Sequence, residues 1–469
     1  MTNPLLKFFS AESALGRAKA EGPLPDNEVL LRNTLGIAWP AVVESLLLAI
    51  VGFIDTMMVS TLGDTAVAAV GLTQQPKMLS LAVFFGLSPA VAALVARRRG
   101  ENDRDSAIRV LRMAICLATV LCTIITFVFF RYADAIISFA GSQDDTHELA
   151  VSYFKIIIGG MFFNVLTYTI NSAQRGAGNT RITLVTNIAS NGVNIIFNYL
   201  LINGKFGFPK LGVAGAAYAT VLGTIVALIL AVISVMKPDG YLYLAQRSVA
   251  GMYEKRSFRS LMSLFSSTMI EQVFMRIGFF VYAKIVAGLG TMPLTIHQIG
   301  MNVLNIPFAA GDGLSSAAVA LVGRSLGEKR KDLAKIYGSF CQRCGVILSL
   351  IISLIFVFFG QGIYGLFSST PEVLETGGII MKLMCVVVWL QVSQVIFSGC
   401  LRGSGDTKYT AFVSCLSITV LRPIIAYAAC YIFDFGIIGA WCGLALDQFI
   451  RFALTGIRFY GGKWAHIEI

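Results

Sequence analysis

Arg175-Gly176-Ala177-Gly178-Asn179-Thr180 returns 227 residues later (402 − 175) as Arg402-Gly403-Ser404-Gly405-Asp406-Thr407. The same offset carries Gly86-Leu87-Ser88 onto Gly313-Leu314-Ser315, Gly100-Glu101 onto Gly327-Glu328, and Glu44 onto Glu271. Near the end it slips to 224 (436 − 212), where Gly212-x-x-Gly215-Ala216 meets Gly436-x-x-Gly439-Ala440. A register held over that length is an internal duplication.

The duplicated material is a series of long apolar runs. They fall near 34–61, 68–96, 108–130, 149–173, 181–203, 212–236, 260–288, 294–323, 336–360, 377–400, 409–433 and 437–459, and each reaches the ~20 residues that a membrane helix needs. Six spans per repeat return the chain to its starting side, so the repeats share an orientation about an axis along the membrane normal. The expected fold is an all-α membrane protein with twelve transmembrane helices in two parallel six-helix repeats. Its expected parts are an N-terminal segment (1–33), an N-lobe (34–236), a linker (237–259), a C-lobe (260–460) and a tail (461–469).

Composition agrees. Of the 469 residues 56% are hydrophobic and 13% charged, against roughly 45–50% and about 25% in soluble domains, so a soluble globule is excluded. The net charge of +11 is concentrated in short clusters between spans, such as Arg97-Arg98-Arg99 and Lys329-Arg330-Lys331. That is the pattern of cytoplasmic loops; it places both termini on the cytoplasmic side of the membrane and argues against nucleic acid as a partner. The nine cysteines lie in or at the ends of apolar runs, and Cys341-x-x-Cys344 lacks a second pair, so neither disulfides nor a metal site are expected. With three histidines and no acid/base constellation, an enzyme is not expected either.

Ionisable groups inside spans cost at least ~2.5–3.5 kcal/mol each on insertion scales and therefore mark bundle interiors or water paths. Glu44 and Asp55 share the first span and, eleven residues apart, fall within ~20° of one another on one helix face. In the fifth span Asn187, Asn191, Asn194 and Asn198 fall within a ~60° arc; the fourth adds Asn164, Tyr168 and Asn171. Amides donate to an ionised carboxylate and accept from a neutral one, so this stripe suits an acid that changes protonation. The first repeat reads as uncompensated acid and the second as mixed charge. In the second repeat Tyr282 stands where the first has Asp55, and Leu421 and Ile425 where it has Asn194 and Asn198, while Glu271, Arg276 and Asp312 enter its spans. Asp447 and Arg451 at i, i+4 read as a structural ion pair. Glu44, Glu271, Arg276, Asp312 and Tyr282 are the candidate substrate-cavity residues, and Pro40 and Gly52 the candidate hinges of the first span.

Trp39-Pro40, then Gly52-Phe53-Ile54-Asp55-Thr56, Arg175 to Thr180, Gly204-Lys205-Phe206-Gly207-x-Pro209 and His297-Gln298-x-x-x-Asn302 resemble the multidrug and toxic compound extrusion (MATE) family over roughly 33–460. The resemblance implies two six-helix lobes forming a V, and export of organic small molecules against inward H+ or Na+, with no cofactor beyond that ion, by a functional monomer in the bilayer. It also implies Asp55 as the coupling carboxylate, able to take a proton or Na+, with Asn194 and Asn198 as its fifth-span partners and Asn171 as a fourth-span one; Asn191 joins them from the amide stripe. Met275 and Gln391 stand where the NorM-like branch has second-lobe acids, which points to the DinF-like branch. A lipid-linked sugar flippase of the same superfamily is the alternative.

Overall fold

The computed structural model describes residues 8–16, 19–246, 254–367 and 370–467, and every extended element in them is helical. Twelve segments occupy the expected spans: α1 Asn27–Ser60, α2 Asp64–Gly100, α3 Arg104–Arg131, α4 Asp144–Gly159 with Met161–Gly176, α5 Thr180–Asn203, α6 Gly212–Val235, α7 Lys255–Ala287, α8 Thr291–Gly327, α9 Lys331–Gly365, α10 Pro371–Ser404, α11 Thr407–Ile432 and α12 Gly436–Tyr460. Among the described residues nine of these are long and apolar enough to cross a membrane on their own, and α4 is a tenth as a pair bent by 44°. The remaining two, α5 and α7, fall short because they carry the asparagine ladder and the group Glu271, Arg276 and Lys284.

The chain divides into two compact units, one of residues 1–45, 100–102 and 266–469, the other of 46–99 and 103–265. The expected N-lobe begins at 34, yet residues up to Ser45 pack with the second repeat. A Cβ at Gly313 would meet the Val42 backbone at 2.5 Å, so the missing side chain is what lets the start of α1 lie against α8. The first unit also takes in the N-terminal segment, where Phe9 meets Phe340 edge-on and Lys335 donates to the Leu15 carbonyl at 2.9 Å.

The duplicated Arg-Gly-x-Gly-x-Thr stretch has the same physical logic in both units. A Cβ on Gly176 would sit 2.3 Å from the Ala92 carbonyl oxygen, and one on Gly403 would sit 2.7 Å from that of Val319; Ala92 and Val319 are themselves one repeat apart. Two residues on, Gly178 (φ 74°) and Gly405 (φ 94°) take the left-handed conformation that ends a helix, which glycine adopts without strain. Asn179 and Asp406 then donate back to the carbonyls of Gln174 and Leu401, each at 2.8 Å, and the next helix starts. Forcing a methyl into such a close approach costs about 1–3 kcal/mol. Gly176→Ala is therefore expected to lower the yield of monodisperse protein in size-exclusion chromatography. Gly71→Ala, where a Cβ would meet nothing within 4 Å, is expected to leave it unchanged.

Candidate functional site

The amide stripe of α5 faces inward in the unit that holds Asp55. Asn198 Nδ2 donates to Asp55 Oδ1 at 2.8 Å and, more weakly, to Asn194 Oδ1 at 3.3 Å. Asn194 Nδ2 in turn donates to Thr220 Oγ1 on α6 at 3.2 Å, and the Thr220 hydroxyl donates to the Ala216 carbonyl at 3.0 Å. The close α5–α6 approach has a cause: a Cβ on Gly223 would lie 2.7 Å from the Ser190 carbonyl oxygen. The result is a polar line through an apolar bundle, in which each amide is turned by the next and the last presents a hydrogen to the carboxylate.

The ladder has unused capacity. Asn198 Oδ1, Asn171 Oδ1 and Asn191 Nδ2 are buried without a hydrogen-bond partner among the described residues. Asn194, Asn198 and Asn171 are each 5% exposed or less, whereas Asn191 is half-buried. The structure thus joins Asp55, Asn198 and Asn194 directly, while Asn171 and Asn191 make no hydrogen bond to Asp55. A buried amide oxygen with no donor is an acceptor in reserve, available to a carboxyl once it carries a hydrogen.

Lys77, on α2, lines a small cavity together with Thr220, and Thr220 extends the ladder beyond the two expected amides. Lys77 was detectable as a cation in the middle of an apolar run; the helices it meets were not, since they depend on packing.

The other unit has a different electrostatic design. Asp447 on α12 accepts from Ser417 Oγ at 2.6 Å, from Arg451 Nη2 at 3.0 Å and from Arg422 through Nε at 3.1 Å and through Nη2. Arg422 is 2% exposed and lies over the rings of Phe279 and Tyr282, at 5.3 and 5.6 Å. Two stretches of wider π-helical winding in α11, Cys415–Leu421 and Ala428–Ile432, flank the turn that carries it; Pro423 lacks the amide hydrogen a regular ladder needs there. The expected Asp447–Arg451 pair is thus one side of a three-residue cluster.

Two expected cavity residues are engaged in the interior of this unit. Glu271, 1% exposed, accepts from Arg402 at 2.7 Å and Ser414 at 2.8 Å, because the arginine of the repeated motif turns back onto α7. The Tyr282 hydroxyl donates to the Ala440 carbonyl at 2.9 Å, and its ring is set edge-on to His297. Of the others, Glu44 is buried, Arg276 half-buried and Asp312 exposed. Pro40 and Gly52 both lie within the uninterrupted helix α1. Among the described residues a bend of 44° lies at Gly160 in α4, where a Cβ would strike the Val221 side chain at 2.4 Å.

A duplicated helical protein with an acid–amide ladder in one repeat and buried arginine–carboxylate clusters in the other is built as a membrane transporter. The MatE family model matches residues 40–200 and again 267–428, and the chain belongs to that family; its members are transporters, not enzymes. It is 28% identical over 451 residues to the probable multidrug resistance protein NorM of Thermotoga maritima, spanning 94% of this chain and 95% of that one. It is 25% identical to the uncharacterized transporter YisQ of Bacillus subtilis, over 92% and 94% of the two. Among solved structures, an outward-facing multidrug resistance MATE family transporter superposes with a TM-score of 0.86 at 20% identity, covering 94% of this chain and all of that one.

Proposed function

We propose that the chain exports organic, cationic or amphipathic small molecules across the cytoplasmic membrane in exchange for protons, by alternating access of its two repeats. The observation that carries this is the hydrogen-bonded line from Thr220 through Asn194 and Asn198 to Asp55. There a carboxylate in the interior of one span meets a row of amides from another. The names of the curated relatives that bear one, multidrug resistance proteins, support the substrate class. The Lys and Arg clusters support cytoplasmic termini, and a functional monomer agrees with a chain that supplies its own two-fold repeat.

Protonation of Asp55 removes the charge that aligns Asn198, and with it the bond that ties α1 to α5. The amide oxygens held in reserve then become the natural acceptors for the new hydroxyl. The two protonation states therefore favour different positions of α1, as exchange of ion for substrate requires. This puts the coupling on Asp55 rather than on second-repeat acids, as in the DinF-like branch, since Glu271 and Asp447 are already neutralised by arginines.

Export of ethidium from proteoliposomes, with pH and sodium gradients imposed separately, tests the reading. An inward proton gradient is expected to drive accumulation and a sodium gradient alone is not; export under sodium alone would refute proton coupling. A hydrogen bond to a charged group contributes about 1.5–3 kcal/mol. Asn198→Ala is thus expected to slow proton-driven ethidium export by at least about tenfold, while Val185→Ala, exposed on the same helix, is expected to change it far less.

A further inference from the structure

We propose that a groove between α3 and α4 holds one acyl chain of an anionic phospholipid, whose phosphate rests on Arg131. The groove encloses about 430 Å³, within the range of small-molecule sites. It follows α3 from Cys122 to Arg131, and Phe162, two residues past Gly160 at the break in α4, closes it from the other side. The nine residues of helix it follows (131 − 122) rise about 13–14 Å, close to the half of a ~30 Å hydrocarbon core that one leaflet fills. Depth and volume thus fit a lipid chain standing alongside the helix, in the leaflet away from Arg104, Arg109 and Arg112 at the other end of α3.

What the groove offers an occupant is hydrocarbon. Thr123 donates its hydroxyl to the Thr119 carbonyl at 2.9 Å, and the Thr126 hydroxyl pairs with the Cys122 sulfur at 3.7 Å, so both are spent on their own helix. Phe127 and Phe130 wall it, 71% and 49% exposed. From Met113 to Phe130 α3 carries no charge, and Arg131, exposed at its end, is the first. The guanidinium lies 5.8 Å from the centre of the Tyr132 ring, and an arginine beside an aromatic ring at the end of an apolar run marks headgroup depth. Asp134, the acid nearest in sequence, is bonded instead by Lys155 at 2.9 Å, and among the described residues Arg131 makes no ion pair. A cation at the mouth of an apolar slot complements a phosphate above a chain. A headgroup with no cation of its own leaves its whole charge to Arg131, which selects an anionic over a zwitterionic lipid. At the corresponding position the second repeat has Phe358 (131 + 227), so the site belongs to the first repeat.

Quenching of an indole placed in the groove by Phe127→Trp tests this in the purified full-length protein in detergent, with the emission of the unsubstituted protein subtracted. The probes are phosphatidylglycerol and phosphatidylcholine with brominated acyl chains, since bromine quenches an indole it touches. Half-quenching is expected at an at least about fivefold lower concentration of the glycerol lipid than of the choline lipid. Adding Arg131→Gln is expected to abolish that preference, and adding Arg131→Lys to keep most of it. If Phe127→Trp does not purify as a monodisperse species, Phe130→Trp is measured with the same expectation. Equal quenching by the two lipids, or a preference that survives Arg131→Gln, overturns the proposal. So does a doubled protein mass in light scattering that Phe127→Trp reduces to that of one chain, which would assign the groove to a second copy.

Discussion

Asp55→Asn is expected to abolish uphill export while leaving downhill exchange of substrate intact. The substitution preserves shape and replaces an acceptor by an amide that Asn198 can still bond, so the bundle should fold. What is lost is the ability to take up and release a charge. One charge moving down 100 mV supplies about 2.3 kcal/mol, enough for roughly a fifty-fold gradient at 1.4 kcal/mol per decade. The accumulation ratio of ethidium in proteoliposomes is therefore expected to fall from up to about fifty-fold to near unity. Counterflow of labelled ethidium, which needs no ion, is expected to persist. Wild-type accumulation in Asp55→Asn would show that energy enters elsewhere.

The second large effect is on stability. Asp447 is fully buried between Arg422 and Arg451, which are 2% and 7% exposed. Removing the shared carboxylate leaves two like charges in a dry interior, and breaking a buried pair costs about 3–5 kcal/mol. Asp447→Ala is thus expected to cut the folded yield severely and lower the melting temperature of what remains. Because the loss arises from unpaired charge, Asp447→Leu combined with Arg422→Met and Arg451→Met is expected to recover most of it. A single variant that melts with wild type would show that the cluster is solvated in the working protein. Arg422 also lies over Phe279 and Tyr282, so Arg422→Lys, lacking the planar face, is expected to be less well tolerated than a charge-conserving change usually is.

Legibility in the sequence followed range along the chain. The duplicated glycine motif, the asparagines of α5 and the Asp447–Arg451 spacing are local signals, governed by helical periodicity or by a turn, and each has a structural counterpart. Contacts made across helices were not legible. Arg422 reaches Asp447 because α11 changes its winding around Pro423, which no period reports. Glu271 and Arg402 are far apart in sequence and meet through the fold of the second repeat. Lys77 has a long side chain whose surroundings depend on packing, so its place in an apolar run did not name the helices it meets. The start of α1 belongs with the second repeat for a related reason: the decisive contact is a glycine on α8, not a feature of α1.

We propose that the carboxylate of Asp55 holds its proton only while substrate is absent. Linkage makes that claim directly measurable, because two ligands that exclude one another must each release the other. Ethidium added to purified protein in weakly buffered detergent solution is expected to release about one proton per dye bound in the wild type and none in Asp55→Asn. A wild type that binds ethidium without releasing a proton, or an Asp55→Asn variant that releases as much, would contradict it.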